Sequence, residues 1–231
     1  DWSCRRQQFE GEREEGGQVK RGSIDVGRVL ASIVALVAVV VALPLGLIAG
    51  MSKRINAALN PLVQILKPIS PLAWLPIVTM VVSASITSDD PALAKSFVIS
   101  AVVVMLCSLW PTLINTAIGT AAIDKDLINV GRVLRLGWFA RLTKLVLPSA
   151  LPYIFTGMRL SLGTGWMVLI AAEMLAQNPG LGKFVWDEFQ NGNEKSLARI
   201  MVAVVVIGLI GFTLDRIMMA LQSFVSRNHA L

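Results

Sequence analysis

The sequence predicts an all-α, polytopic membrane protein with about five spanning helices. Three observations predict it. Hydrophobic residues fill 55% of the 231 positions and charged residues only 16%, with a mean hydropathy of +0.66. A soluble domain is about a quarter charged, so this chain has too few charges to cover a water-facing surface. The apolar residues are gathered into several long runs, and Lys and Arg crowd into alternate loops between them. The same composition excludes a disordered chain and a secreted disulfide scaffold, because Cys4 and Cys107 define no framework. Basic cytoplasmic loops explain the net charge of +6 and the pI near 9.7 without nucleic acid. A lone His229 in the tail leaves no histidine cluster for a metal.

Residues 1–27 form a polar N-terminal segment with Arg5, Arg6, Arg13, Lys20 and Arg21 diluted by Glu10, Glu12, Glu14 and Glu15. It lacks an apolar run and is no signal peptide. The membrane domain is expected over 28–227, followed by a short tail, 228–231. No charge interrupts the chain between Arg28 and Lys53, which predicts a first span at about 29–50. The uncharged stretch from Lys67 to Asp89 holds Pro68, Pro71 and Pro76, and so predicts a kinked or broken helix. A third run lies between Lys95 and Asp124, with Pro111 as a kink site. The fourth, about 151–175, carries Arg159 within it and Glu173 near its outer end. The fifth, about 197–224, holds Asp215 and Arg216 near its inner end, where long side chains reach the interface at small cost. Trp186 and Phe189 belong to a patch too short to span.

Loop charge sets the orientation. Lys53, Arg54 and Lys67 mark 51–70 as a cytoplasmic loop; Lys125, Arg132, Arg135, Arg141 and Lys144 mark 120–148. Loop 83–95, with Asp89 and Asp90, and loop 176–196, with Asp187, Glu188 and Glu194, face outward. This alternation puts the basic start of the chain outside, against the charge rule. Later loops overriding it, or a further helix upstream, would remove the conflict; the second reading is preferred.

The loop 120–148 carries the most information. Apolar positions 127, 128, 130, 133, 134 and 136 fit a short amphipathic helix, followed by a second stretch at 138–147. Such a helix either fills a partner's groove or rests on lipid. Here the sequence resembles the permease subunits of binding-protein-dependent ABC importers. Their signature is Glu-Ala-Ala, three residues, Gly, then about nine residues to Ile-x-Leu-Pro. Aligned on Leu147-Pro148, the Glu-Ala-Ala falls on Asn129-Val130-Gly131, the Gly on Arg135 and the Ile on Leu145. Spacing and ending match; the Glu and the Gly do not. Pro71-Leu-Ala-Trp-Leu-Pro76, Pro148-Ser-Ala-Leu-Pro-Tyr-Ile-Phe-Thr-Gly-Met-Arg159 and Gly180-Leu-Gly-Lys-Phe-Val-Trp-Asp187 are similar to the nitrate, sulfonate and taurine branch. Gly211-Phe-Thr-Leu-Asp-Arg216 is most similar to its nitrate members, with bicarbonate and cyanate permeases close by. The likeness covers about 29–226.

The resemblance implies the type I ABC importer permease fold, often with one more N-terminal helix, in a bacterial inner membrane. It implies a permease pair, identical or not, two ATPase subunits and a periplasmic or lipid-anchored solute-binding protein. The cargo it implies is a small inorganic anion, nitrate or nitrite, with bicarbonate, cyanate or a sulfonate such as taurine as alternatives. No Walker loop is present, so the chain is expected to be no enzyme, and to carry no cofactor. ATP and magnesium would belong to the partner ATPase. The resemblance makes Asn129, Val130, Gly131, Arg132, Arg135, Gly137, Arg141, Leu147 and Pro148 the ATPase-coupling residues.

Arg159 lies inside an apolar helix, about 12 Å above the cytoplasmic edge. An ionisable residue at that depth is a functional candidate for an anion path, and pairing or snorkelling is the plainer reading. Ser161 and Thr164 are hydroxyl donors for the same path. With Gly163 and Gly165 they also form a small-residue face suited to close helix packing. Glu173, about 21 Å further out, would repel an anion and is assigned to an outer gate or binding-protein contact. A self-sufficient carrier or channel is the rival from another class. It needs coupling-ion carboxylates at mid-membrane and inverted repeats, which fit this sequence poorly.

Overall fold

The computed structural model describes residues 40–85 and 95–228. The polar segment 1–27, the start of the expected first span, the part of the expected loop 83–95 with Asp89 and Asp90, and His229 lie outside the described residues. Among the described residues the chain is helical throughout, with no strand.

The first described helix, α1 (Val40–Met51), is apolar. It lies along α4 (Lys95–Ala121) through small residues. A Cβ added at Gly46 would come within 2.6 Å of Thr116 Cβ, and one at Gly50 within 2.4 Å of Thr120 Cβ. In lipid, such close backbone approach holds helices together where hydrophobic exclusion cannot.

The stretch expected as cytoplasmic loop 51–70 is instead mostly helix, α2 (Lys53–Leu66). Ile55, Leu59, Leu62 and Leu66 recur at helical spacing, and Val63 is buried against Ala42 and Leu113. The chain then bends by 95° into α3 (Pro71–Ser85). Pro68 and Pro71 bracket the bend, and both lack the N–H a continuing helix needs. Pro71 opens α3, and Ser70 Oγ accepts the Leu72 N–H at 3.3 Å. Pro76 does not interrupt α3. The expected proline break is therefore confined to the first two prolines.

Antiparallel to α4 runs α7 (Leu147–Ala176), 30 residues and about 45 Å long. Val78 and Val82 of α3, Ile99 and Val103 of α4, and Val168 of α7 make the core between these helices. Pro111 leaves α4 one N–H short, and α7 supplies a polar patch there. Ser161 Oγ donates to the Ser108 carbonyl at 2.5 Å and accepts the Thr112 N–H at 3.1 Å. The Thr112 hydroxyl completes the set at 2.7 Å. With one donor and two acceptor sites used, this hydroxyl is fully engaged.

The short α5 (Lys125–Val133) and α6 (Trp138–Arg141) lie at the end of α4 and α7 that loop charge predicts to be cytoplasmic, here termed the inner end. A π-helical turn, Leu142–Val146, carries α6 straight into α7, so Trp138–Ala176 forms one 39-residue apolar segment. At the opposite end sits the amphipathic α8 (Leu181–Asn191), which leads into the long α9 (Ser196–Asn228). Along α9 the apolar side chains of Val205, Leu209, Phe212 and Phe224 stay exposed. Water would not tolerate that surface, but lipid or a second permease would.

Among the described residues, α4, the α6–α7 segment and α9 are each long and apolar enough to span. The bent α2–α3 pair makes a fourth crossing if taken as one. The first expected span is only partly described.

Candidate coupling and translocation sites

Asp124 opens the inner loop. Its carboxylate accepts the Asp126 N–H at 3.1 Å, which caps α5 two residues earlier than the apolar pattern alone indicates. The helix ends in a Schellman turn. The Leu136 N–H donates back to the Gly131 carbonyl at 3.1 Å, and Arg135 sits at φ 49°. That is where the importer signature carries glycine. An L-residue with a side chain holds this left-handed conformation at a cost of about 1–2 kcal/mol.

Gly131 is buried under Leu145: a Cβ there would lie 2.8 Å from Leu145 Cδ1. This contact seats α5 on the π-helical turn. Gly137 caps α6 and accepts the Arg141 N–H at 2.9 Å. Arg141 Nε is buried with no hydrogen-bond partner among the described residues. Leu147 and Pro148 begin α7. Asn129 and Val130 sit on the exposed side of α5, and the Arg132 side chain lies outside the described residues. Val133 is 82% exposed, Trp138 61% and Phe139 71%, with Leu134 beside them. The inner end of the molecule therefore presents an apolar patch edged by arginine.

The sequence leaves Arg159 without a named partner. In the structure it is paired: Nε and Nη2 donate to Oδ1 and Oδ2 of Asp215 at 2.5 and 3.0 Å. This fork-to-fork geometry is the strongest a carboxylate offers. Asp215 thus faces α7 and has a structural partner there. Arg216 points elsewhere, over the Phe212 ring at 4.7 Å. Three more bonds tie α9 to α7: Gln222 Nε2 donates to Thr156 Oγ1 at 3.3 Å and to the Pro152 carbonyl at 3.5 Å, and Trp166 Nε1 donates to the Ile207 carbonyl at 3.3 Å. Between the two helices lies a recess of about 200 Å³, lined by Arg159, Leu162, Gly163, Trp166, Gly211, Leu214 and Asp215.

The two expected hydroxyls part company. Ser161 is buried in the α4–α7 seam, and its engaged hydroxyl corrects its assignment to an open path. Thr164 is exposed, its hydroxyl turned onto the carbonyls of Leu160 and Ser161 at 3.0 and 3.1 Å.

At the outer end, the Glu173 carboxylate accepts the Gly182 N–H at 2.9 Å, in the first turn of α8. A negative group suits that end of a helix. A Cβ at Gly180 would fall 2.3 Å from the Glu173 carboxyl, and one at Gly182 2.2 Å from the Ile170 carbonyl, so the two glycines permit the contact. Asn178 Nδ2 binds the Ser96 carbonyl at 2.8 Å and Ser100 Oγ at 2.6 Å. Glu188 accepts from Arg199 Nη1 and from Ser196 Oγ, each at 2.9 Å. The Arg199 guanidinium, aided by the Ser196 hydroxyl, holds the Glu188 carboxyl below the usual carboxylate range.

Residues 42–227 match the family described as the binding-protein-dependent transport system inner membrane component. The chain belongs to that family. It is thus a multi-pass membrane protein and a permease by family. It is 37% identical over 217 residues to the bicarbonate transport system permease protein CmpB of Synechococcus elongatus, covering 90% of this chain and 73% of that one. The nitrate import permease protein NrtB of the same organism is 37% identical over 172 residues, 74% of this chain and 58% of the relative. A putative aliphatic sulfonates transport permease protein, SsuC of Bacillus subtilis, is 31% identical over 186 residues, 80% and 63%. These relatives fit the nitrate and sulfonate branch that the sequence motifs resemble.

For this permease, the pairing of Asp215 with Arg159 is what sequence reasoning missed. A signal was present. Counted from Leu151 and Phe224, the inner ends of the expected runs, Arg159 and Asp215 sit at similar depth, about 12–14 Å in. Opposite charges at one depth on two apolar helices are candidates for a pair.

Proposed function

We propose that this permease is the membrane-spanning subunit of an ATP-driven importer for a small planar monoanion, nitrate or nitrite, in a bacterial inner membrane. Its identity to relatives named for nitrate import carries the reading. The charge placement supports it: an anion that cannot cross as a neutral acid needs donors along its path. Arg159 is a donor within α7, and Thr164 lies on the exposed face of the same helix. Bicarbonate is a second reading, favoured by an equally identical relative that aligns over a longer stretch. Both ions are planar oxyanions of single charge. Cyanate and sulfonates remain the weaker alternatives.

ATP hydrolysis belongs to separate ATPase subunits with their own magnesium. The apolar patch of α5 and α6, edged by Arg135, is the surface for the ATPase, and a second permease completes the path. A solute-binding protein delivers the anion outside, near Glu173 and α8. Hydrolysis is coupled to transport only if the ATPase contacts differ between inward- and outward-open states.

The test is uptake of labelled nitrate by the complete complex in vesicles, with unlabelled competitors. Nitrate and nitrite should abolish uptake, and bicarbonate and taurine should leave most of it. Competition by bicarbonate alone would transfer the assignment to bicarbonate. Competition by taurine alone would overturn the small-anion reading.

A further inference from the structure

The recess between α7 and α9 joins two features that packing alone does not require. Its lining includes both members of a charged pair, and its other walls are apolar or glycine. Asp215 engages Nε and Nη2 of the guanidinium. Nη1 has no hydrogen bond among the described residues, so the far edge of the fork keeps its donors. A Cβ at Gly163 would meet no atom within 4 Å, so this glycine leaves open space that a packing contact would fill. The indole N–H of Trp166 is held by the Ile207 carbonyl, which leaves the ring as a wall rather than a donor.

We propose that this recess is a transit site for a small planar oxyanion, in which Asp215 is a positioning residue for Arg159. The proposal rests on the anion-importer reading above and names the site it would use. A guanidinium edge matches a planar oxyanion with two parallel N–H bonds. Low-dielectric walls strengthen those bonds. A bare arginine there would hold an anion too firmly to release it. A conducting site must bind well enough to admit an ion and weakly enough to let it go. Asp215 supplies that balance by offsetting the charge while it fixes the orientation of the fork.

The experiment uses the permease–ATPase complex in nanodiscs. Nitrate is titrated against the part of the tryptophan fluorescence that Trp166→Phe removes, and uptake per assembled complex is measured in vesicles. In Asp215→Asn the nitrate midpoint should fall roughly tenfold while uptake falls, because the cation has lost its counter-charge. Arg159→Gln added to Asp215→Asn should abolish the response. Gly163→Val fills the recess with a side chain whose Cβ touches nothing, so assembly should stay normal while response and uptake are lost. A charge swap, Arg159→Asp with Asp215→Arg, should restore assembly without restoring uptake. An unchanged midpoint in Asp215→Asn, parent-level uptake in Gly163→Val, or full uptake in the swap would reduce the pair to a helix clamp and overturn the proposal. A parent complex that imports no oxyanion would overturn the functional reading itself.

Discussion

Arg135 occupies a backbone position that favours glycine. Its φ of 49° belongs to the turn that ends α5. Replacing Arg135 with Gly should therefore stabilise the inner loop by about 1 kcal/mol, read as slower amide exchange at 131–136. Replacement by Val should speed that exchange. At the outer end, Glu188 makes a pH-dependent contribution. Its folded form favours the ionised carboxylate, held by Arg199 and then Ser196. The stability it supplies is complete above the ordinary glutamate range, about pH 4.3, and is lost as pH falls through the lower folded value. Acidification below about pH 4 should loosen the α8–α9 corner in the parent. Glu188→Gln should be looser at neutral pH and lose that acid response, measured by protease sensitivity of 188–199.

At the scale of elements, two contacts decide how the helices act. Ser161 joins α7 to the proline-opened turn of α4. Ser161→Ala leaves a buried N–H and a carbonyl unsatisfied, so the permease should lose about 1–3 kcal/mol, measured by denaturant unfolding in detergent. A loss below 0.5 kcal/mol, roughly the scatter of a surface change, would mean that α4 satisfies those groups itself. The second contact is the inner patch. Val133 lies outside the core, so Val133→Asp should leave folding unchanged and weaken ATPase association roughly tenfold or more. The long runs, the amphipathic α5 and the break near Pro68 were legible because lipid demands uncharged length and proline withholds an N–H. Helix α2 was not, because its charges at Lys53 and Arg54 masked apolar spacing shared between membrane and interface. Asp215 was legible in kind but not in partner. A period of 3.6 places residues on a face, while the rotation of α9 against α7 depends on contacts such as Trp166 on Gly211 that no single run encodes.

For the whole molecule, a family permease with an apolar inner patch and no phosphate-binding loop in its sequence should be a passive path until an ATPase drives it. The rod from α6 through the π-helical turn to α7 gives that drive a direct route. Any movement of the inner patch would pass to α7, which Asp215, Gln222 and the Ile207 carbonyl tie to α9. The most direct measurement compares labelled nitrate uptake by vesicles holding the purified permease alone with uptake by vesicles holding the complete complex. Uptake should require the ATPase, the binding protein and ATP together, and the permease alone should take up none under any ion gradient. Gradient-driven uptake by the permease alone would contradict the account and make the chain a self-sufficient carrier.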